Sequence, residues 1–189
     1  MMKKIIPVEV SARHIHISKK DLETLFGKNY ELQKTKQLSQ PSDFSTEEIL
    51  NIEANGKSLK VRIVGPEREK TQIEISKTDA VFLGVSPLLK ISGDLNDSSG
   101  IKLIGPKGEV ELLEGLIIAK RHIHCATDEA EELGLKTNDI VSVKIESERP
   151  VIFEDVAVRV KDDYKLCMHI DTDEGNAAGI NKIGEGIIL

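Results

Sequence analysis

Short runs of Ile, Val and Leu recur along the chain with polar residues between them at a spacing of two, the period of a strand with one buried face. Residues 5–10, 58–64, 72–76, 100–104, 110–113, 116–119, 140–145, 156–160 and 166–170 all read as strands on this pattern. Gly65-Pro66, Gly105-Pro106-Lys107-Gly108 and Glu114-Gly115 supply turns between them. Helical signals are few and short. Ser18 to Gly27 opens on a capping serine with an aspartate three residues on and stops at glycine, and Thr127 to Gly134 has a similar form. Most neighbouring strands lack a connecting helix of ten or more residues, which excludes a doubly wound sheet. The pattern predicts a mainly β protein of two small β-barrel domains with short capping α-helices.

Composition narrows the class. The 189 residues are 39% hydrophobic but only 3% aromatic, with no Trp, so the cores must be built from Ile, Leu and Val. A net charge of −6 argues against a general nucleic-acid or anionic-membrane surface. No apolar run approaches the length of a membrane span, and the opening Met1-Met2-Lys3-Lys4-Ile5-Ile6-Pro7 is too short in apolar residues for a secretory signal. Two cysteines, Cys125 and Cys167, form neither a CxxC nor a disulfide framework. A soluble protein of the reducing cytoplasm is expected.

The tetrapeptide Arg-His-Ile-His occurs at 13–16 and again at 121–124, taking four of the five histidines. A pseudo-duplication surrounds it. Each copy is followed by a short helix, then by a strand (Val61-Arg62-Ile63 or Val158-Arg159-Val160), then by a second conserved-length stretch ending at Gly84 or Gly179. Overlaying the two halves sets Glu74 against His169, a carboxylate against the fifth imidazole.

On a strand, residues i and i+2 share a face with Cα atoms roughly 6.5–7 Å apart. Two imidazoles so placed converge on one cation while Ile15 or Ile123 faces a core. A third ligand completes each set: His14, His16 and Glu74 in one half, His122, His124 and His169 in the other. Three protein ligands with an open position suit catalytic zinc, and the N/O donor set also accepts Co²⁺, Ni²⁺ or Fe²⁺. A lone HxH is a weak signal and polar strand ends are common, but here the word recurs with a matched third ligand. A structural metal stapling a small barrel is the competing use.

Arg68, just past the Gly65-Pro66 turn and six residues before Glu74, is either a bidentate anion contact or a surface ion-pair partner of Glu67 or Glu69. Arg13 and Arg121 are opposite in parity to the histidines that they precede and read as structural residues or as supports of the ligands. Ser92-Gly93-Asp94 reads as a loop. Cys125 points away from the His124 face, whereas Cys167 shares the parity of His169; a buried free thiol is its default.

These words together resemble the phosphate propanoyltransferases of the propanediol-utilisation type. The resemblance rests on Val10-Ser11-Ala12-Arg13-His14-Ile15-His16, on Gly65-Pro66-x-Arg68 with Thr71-Gln72-Ile73-Glu74-Ile75-Ser76, and on Ala119-Lys120-Arg121-His122-Ile123-His124. It also rests on Met168-His169-Ile170-Asp171-Thr172-Asp173-Glu174-x-Asn176-Ala177-Ala178-Gly179. It implies a barrel domain over 13–119 carrying the first metal and a second over 120–189, completed by a strand from 3–12, carrying the second. It further implies two Zn²⁺ per chain at the junction of the barrels, phosphate bound by Arg68, and the reaction acyl-CoA + phosphate ⇌ acyl phosphate + CoA. Lys90 stands where such proteins often carry Arg. Ile5 to Val10 already belongs to a barrel strand, so no microcompartment-targeting helix is expected before it.

The chemistry expected is direct attack of phosphate at a dinuclear zinc site, because phosphate is largely dianionic near neutrality and every histidine is committed to metal. Lys90, Lys120 and Arg121 are candidates for the phosphates of coenzyme A. The partners expected are small molecules and further copies of the same chain, without nucleic acid or membrane. A dinuclear metal-dependent thioesterase or phosphoesterase is the alternative enzyme, and a non-catalytic metal-binding module the alternative of another class.

Overall fold

A computed structural model describes residues 4–189. In chain order the elements are β1 (Lys4–Ser11), β2 (His14–His16), α1 (Lys19–Phe26), β3 (Lys34–Gln37), β4 (Phe44–Ala54), β5 (Lys57–Gly65), β6 (Gln72–Glu74), α2 (Lys77–Leu83), β7 (Leu89–Lys90), β8 (Ser99–Ile104) and β9 (Glu109–Ala119). They continue as β10 (His122–Cys125), α3 (Thr127–Leu133), β11 (Ile140–Ile145), β12 (Val151–Val160), β13 (Cys167–Asp171), α4 (Thr172–Ala177) and β14 (Ile183–Ile188). The chain divides into two compact units. One comprises residues 4–12, 39–41 and 120–189, the other residues 13–38 and 42–119.

The first unit is a closed six-stranded barrel in the order β1-β13-β10-β12-β11-β14. Its core holds Ile6, Val8, Ile123, Val143, Val158, Met168 and Ile170, with Phe153 as an aromatic member. In the second unit β4-β5-β2-β6-β9 is closed by β8, which pairs with both β4 and β9, so this too is a six-stranded barrel; β3 and β7 lie at its margins. Ile15, Ile17, Leu22, Ile52, Ile63, Ile73, Leu103 and Leu116 fill it, each at 0% exposure. Each such side chain contributes roughly 1.5–3 kcal/mol through removal from water. The mainly β architecture of two barrels with short helices agrees with the hydrophobic pattern.

The two barrels have the same wiring. An HxH strand runs parallel to one neighbour (β2 with β5, β10 with β12) and antiparallel to the other (β2 with β6, β10 with β13). The latter neighbour is parallel to a further strand, β9 in one unit and β1 in the other, which is antiparallel to β8 or β14. Read along the chain, β1 leads the repeat whose HxH is β2, and β9 leads the repeat whose HxH is β10. Each leading strand closes the barrel of the other repeat.

Three features differ from the sequence expectation. Glu114-Gly115 is not a turn: β9 runs through it unbroken, and Gly115, at φ 126°, marks an irregularity in its pairing with β8. A Cβ at Gly115 would stand 2.6 Å from the Thr71 carbonyl oxygen, so glycine here serves close strand approach. The strands β3, β4, β7 and β14 and the helices α2 and α4 were not expected. Both helices begin with a capping box, Ser76 with Asp79 and Asp171 with Glu174, which supplies the start signal in place of helix length. No helix among the described residues is long and apolar enough to cross a membrane.

Candidate metal centres and anion contact

In β2 the burial of Ile15 in the barrel turns His14 and His16 to the opposite face together. Antiparallel pairing with β6 then sets Glu74 directly opposite His14 and Gln72 opposite His16. The His14 and His16 Nε2 atoms are 3.2 Å apart, and Glu74 Oε2 is 3.7 Å from His14 Nε2. Two nitrogens each about 2.0–2.1 Å from a tetrahedral zinc would be separated by roughly 3.3 Å. The ligand atoms of His14, His16 and Glu74 all lie within 4.8 Å of one another, so the donor set fits a cation.

The surroundings hold these ligands in the required form. His16 Nδ1 donates to the Val64 carbonyl at 3.2 Å, which leaves its Nε2 lone pair turned to His14. Burial, then the neighbouring His14, then the positive charge of Arg68 hold the His16 pKa well below its ordinary value, so the ring is neutral. Gln72, which the sequence reading passed over, donates through Nε2 to Glu74 Oε1 at 2.6 Å and to Ser92 Oγ at 2.8 Å. Its Oε1 accepts from the Gly93 N–H at 2.7 Å, tying the Ser92-Gly93 loop to the Glu74 carboxylate. The available signal was parity, since Gln72 sits at i−2 from Glu74 on the same strand.

Arg68 is fastened by its backbone, whose N–H donates to Ile17 O at 2.9 Å, immediately after His16. The bridge between Ser18 and Arg68 sets this residue beside the end of the ligand strand, close enough for its positive charge to help lower the His16 pKa.

The other unit repeats the plan. Ile123 is wholly buried, while His122 and His124 share the opposite face; β13 pairs antiparallel so that His169 stands opposite His122 and Cys167 opposite His124. The three rings lie together, with centroid separations of 4.5 Å (His122–His124), 5.1 Å (His124–His169) and 5.4 Å (His122–His169), but the donor atoms that lie within 4.8 Å of one another in this unit are those of Glu9, Cys167 and His169. His122 Nδ1 donates to Lys120 O at 2.8 Å, fixing that ring. Tyr164 packs on His124 at 4.1 Å between centroids, and Gln40 Nε2 lies 3.4 Å from His169 Nε2. Neither residue carries a local sequence signal, because each arrives from a loop. Cys167 lies beside His169 as its parity allowed, but burial and the Glu9 carboxylate push its thiol up to about 12. Cys125 is also a free thiol, in the barrel core.

The remaining basic candidates are each paired with an acid. Lys90 Nζ is 2.9 Å from Asp94 Oδ2, Lys120 Nζ 2.8 Å from Asp155 Oδ1, and Arg121 Nη1 3.1 Å from Glu174 Oε1. Arg13 makes the corresponding contact with Asp79 within its own repeat.

The sequence matches the family model described as phosphate propanoyltransferase over residues 7–181, a span that takes in both HxH strands, Arg68, Glu74 and His169. The phosphate propanoyltransferase of Thermotoga maritima is 50% identical over 178 residues, covering 93% of this chain and 85% of that protein. Those of Alkaliphilus metalliredigens and Priestia megaterium are 49% and 48% identical, over 92% and 97% of this chain and 82% and 85% of theirs. A match of this extent, over a chain whose two barrels each carry an HxH strand facing a third ligand-type side chain, shows that the protein belongs to the phosphate propanoyltransferase family.

Proposed function

We propose that this protein is a phosphate acyltransferase that moves a short acyl group, propanoyl or acetyl, reversibly between coenzyme A and inorganic phosphate. The observation that carries the reading is that backbone pairing of Arg68 with Ile17 and Ser18 sets an arginine directly beside the end of the strand bearing His14 and His16, so a guanidinium fork and the His14–His16–Glu74 cation site can serve one small anion. The names of the relatives support the reaction class.

Arg68 holds phosphate through two oxygens and sets the direction of its attack. Phosphate, a dianion in large part near neutrality, needs no base to act as the nucleophile. We read the transfer as direct, because the thiol beside His169, Cys167, is pushed up to about 12 by burial and the Glu9 carboxylate and keeps its proton at neutral pH. Zinc held by His14, His16 and Glu74, and by His122, His124 and His169, would supply Lewis acidity toward the thioester oxygen and the departing thiolate. Gln72 orients Glu74 and keeps the Ser92-Gly93 loop against it. For the phosphates of coenzyme A we assign Lys90 and Lys120, whose partners Asp94 and Asp155 are 45% and 57% exposed and readily exchanged. Arg121 serves the fold instead, through the capping carboxylate of Glu174. A cytoplasmic setting agrees with two free thiols.

The test is release of free CoA from a short series of acyl-CoAs by metal-analysed protein. Release that requires phosphate or arsenate is expected. Release at the same rate without either would make the protein a metal-dependent thioesterase.

A further inference from the structure

Strand β13 sorts its side chains strictly by parity. Met168 and Ile170 enter the barrel core at 0% and 2% exposure, which sends Cys167 and His169 to the outer face together. Strand β1 runs parallel to β13 with Glu9 in register with His169, so a carboxylate joins the same face. The ligand atoms of Glu9, Cys167 and His169 all lie within 4.8 Å of one another. Ser39 Oγ donates to the Glu9 carboxylate and fixes its orientation. These donors are sulfur, nitrogen and oxygen, unlike the three nitrogens of His122, His124 and His169.

We propose that Glu9, Cys167 and His169 form a second cation site in this unit, selective for thiophilic divalent ions such as Cd²⁺ or excess Zn²⁺, which competes with the three-histidine set for His169. Binding forms a metal–sulfur bond at Cys167 and releases the thiol proton to solvent. The thiolate and the Glu9 carboxylate then carry two negative charges, which balance a divalent ion at a half-buried position. The neutral imidazole set leaves such an ion uncompensated. Thiolate also favours soft cations, whereas imidazole is broadly tolerant. Because His169 belongs to both sets, filling the sulfur site withdraws one ligand from the other. Loss of activity on such binding rests on the function proposed above; the binding itself does not.

The experiment titrates metal-free protein with Co²⁺ and Cd²⁺ and follows the thiolate-to-metal charge-transfer absorption. The expected result is a saturable band that is lost in Cys167→Ser and retained in Cys125→Ser, whose thiol lies in the barrel core. The band is also expected to persist in His122→Ala, which removes a ligand from the imidazole set alone, and to need about tenfold or more metal in Glu9→Gln. Circular dichroism checks each variant for folding, and cadmium NMR of the unaltered protein detects sulfur ligation should Cys167→Ser fail to fold. No thiolate band or sulfur-shifted cadmium signal at saturation would overturn the proposal. Loss of the band in His122→Ala would also overturn it, by making Cys167 a fourth ligand of the imidazole site. If instead the band behaves as expected while Cd²⁺ leaves phosphate-dependent CoA release untouched, the site stands and the competition for His169 is refuted.

Discussion

The Arg13 guanidinium holds Asp79 with two of its nitrogens, Nε at 3.0 Å from Oδ2 and Nη2 at 2.9 Å from Oδ1. Arg13 precedes the first ligand strand, and Asp79 is the carboxylate of the capping box that starts α2, five residues after Glu74. The pair thus couples the strand bearing two ligands to the helix that follows the third. Arg121 repeats the arrangement with Glu174, the capping-box carboxylate five residues after His169. Replacing Arg13 by Met should cost about 1.5–3 kcal/mol of stability, since a nearly buried carboxylate loses two charge-assisted hydrogen bonds. Denaturant unfolding of Arg13→Met against Arg13→Lys checks this, with Lys recovering part of the loss.

Arg68→Lys keeps the charge and loses the planar fork. Metal content should be unchanged while turnover and the KM for phosphate both worsen. The loss in kcat/KM should be roughly 2–4 kcal/mol, or about 30- to 1,000-fold. Steady-state kinetics with varied phosphate measure it; unchanged phosphate kinetics would make Arg68 a surface ion-pair residue.

His16→Ala and His124→Ala each leave two ligands in one unit. Elemental analysis should fall from two metal equivalents to one in either variant, with turnover lost in both. Retained turnover in a His124→Ala protein that has lost a metal would make that site a structural staple.

The buried thiol of Cys167 sets a pH dependence in the metal-free protein. Its pKa rises from 9.0 in the open chain to about 12 in the fold, so the folded state holds the proton longer. Stability from this group is fully present below about pH 9 and is lost as pH climbs toward about 12. Urea midpoints should therefore fall more steeply between about pH 8 and about pH 10.5 in the unaltered protein than in Cys167→Ser.

The nearness of His14 and His16 to Glu74, and of the His122 and His124 rings to His169, was legible because these residues obey strand parity and because the duplication sets His169 against Glu74. The long strand β4 was not legible, for its inward positions include Thr46 and Glu48, both buried at 0% and 4%, ahead of Leu50 and Ile52. Ser45-Thr46-Glu47-Glu48 looks instead like a helix start. Glu48 tolerates the interior because Tyr30 OH and the Gln33 N–H both donate to its Oε1, at 2.8 and 3.0 Å, from a loop with no local signature. In β14 the glycines hide the strand. Gly186 is required because a Cβ there would stand 2.5 Å from Val143 Cγ1, a constraint imposed by a distant strand. Gln40 and Tyr164 escaped for the same reason: what gives them a place is a neighbour far away in sequence.

The exchange of leading strands has a consequence in time. Strand β9 follows β6 and β8 along the chain, so the barrel that it closes has every strand available as soon as β9 leaves the ribosome. Strand β1 must wait. It ends at Ser11, its partner β13 begins only at Cys167, and β14 comes later still. At ordinary rates of translation that interval is on the order of 8–30 s, through which Ile6 and Val8 have no barrel to enter and both edges of β1 stand unpaired. Ile5, Pro7 and Glu9 alternate with those core residues, and the proline and the acid keep the waiting strand from being uniformly apolar on a flat edge.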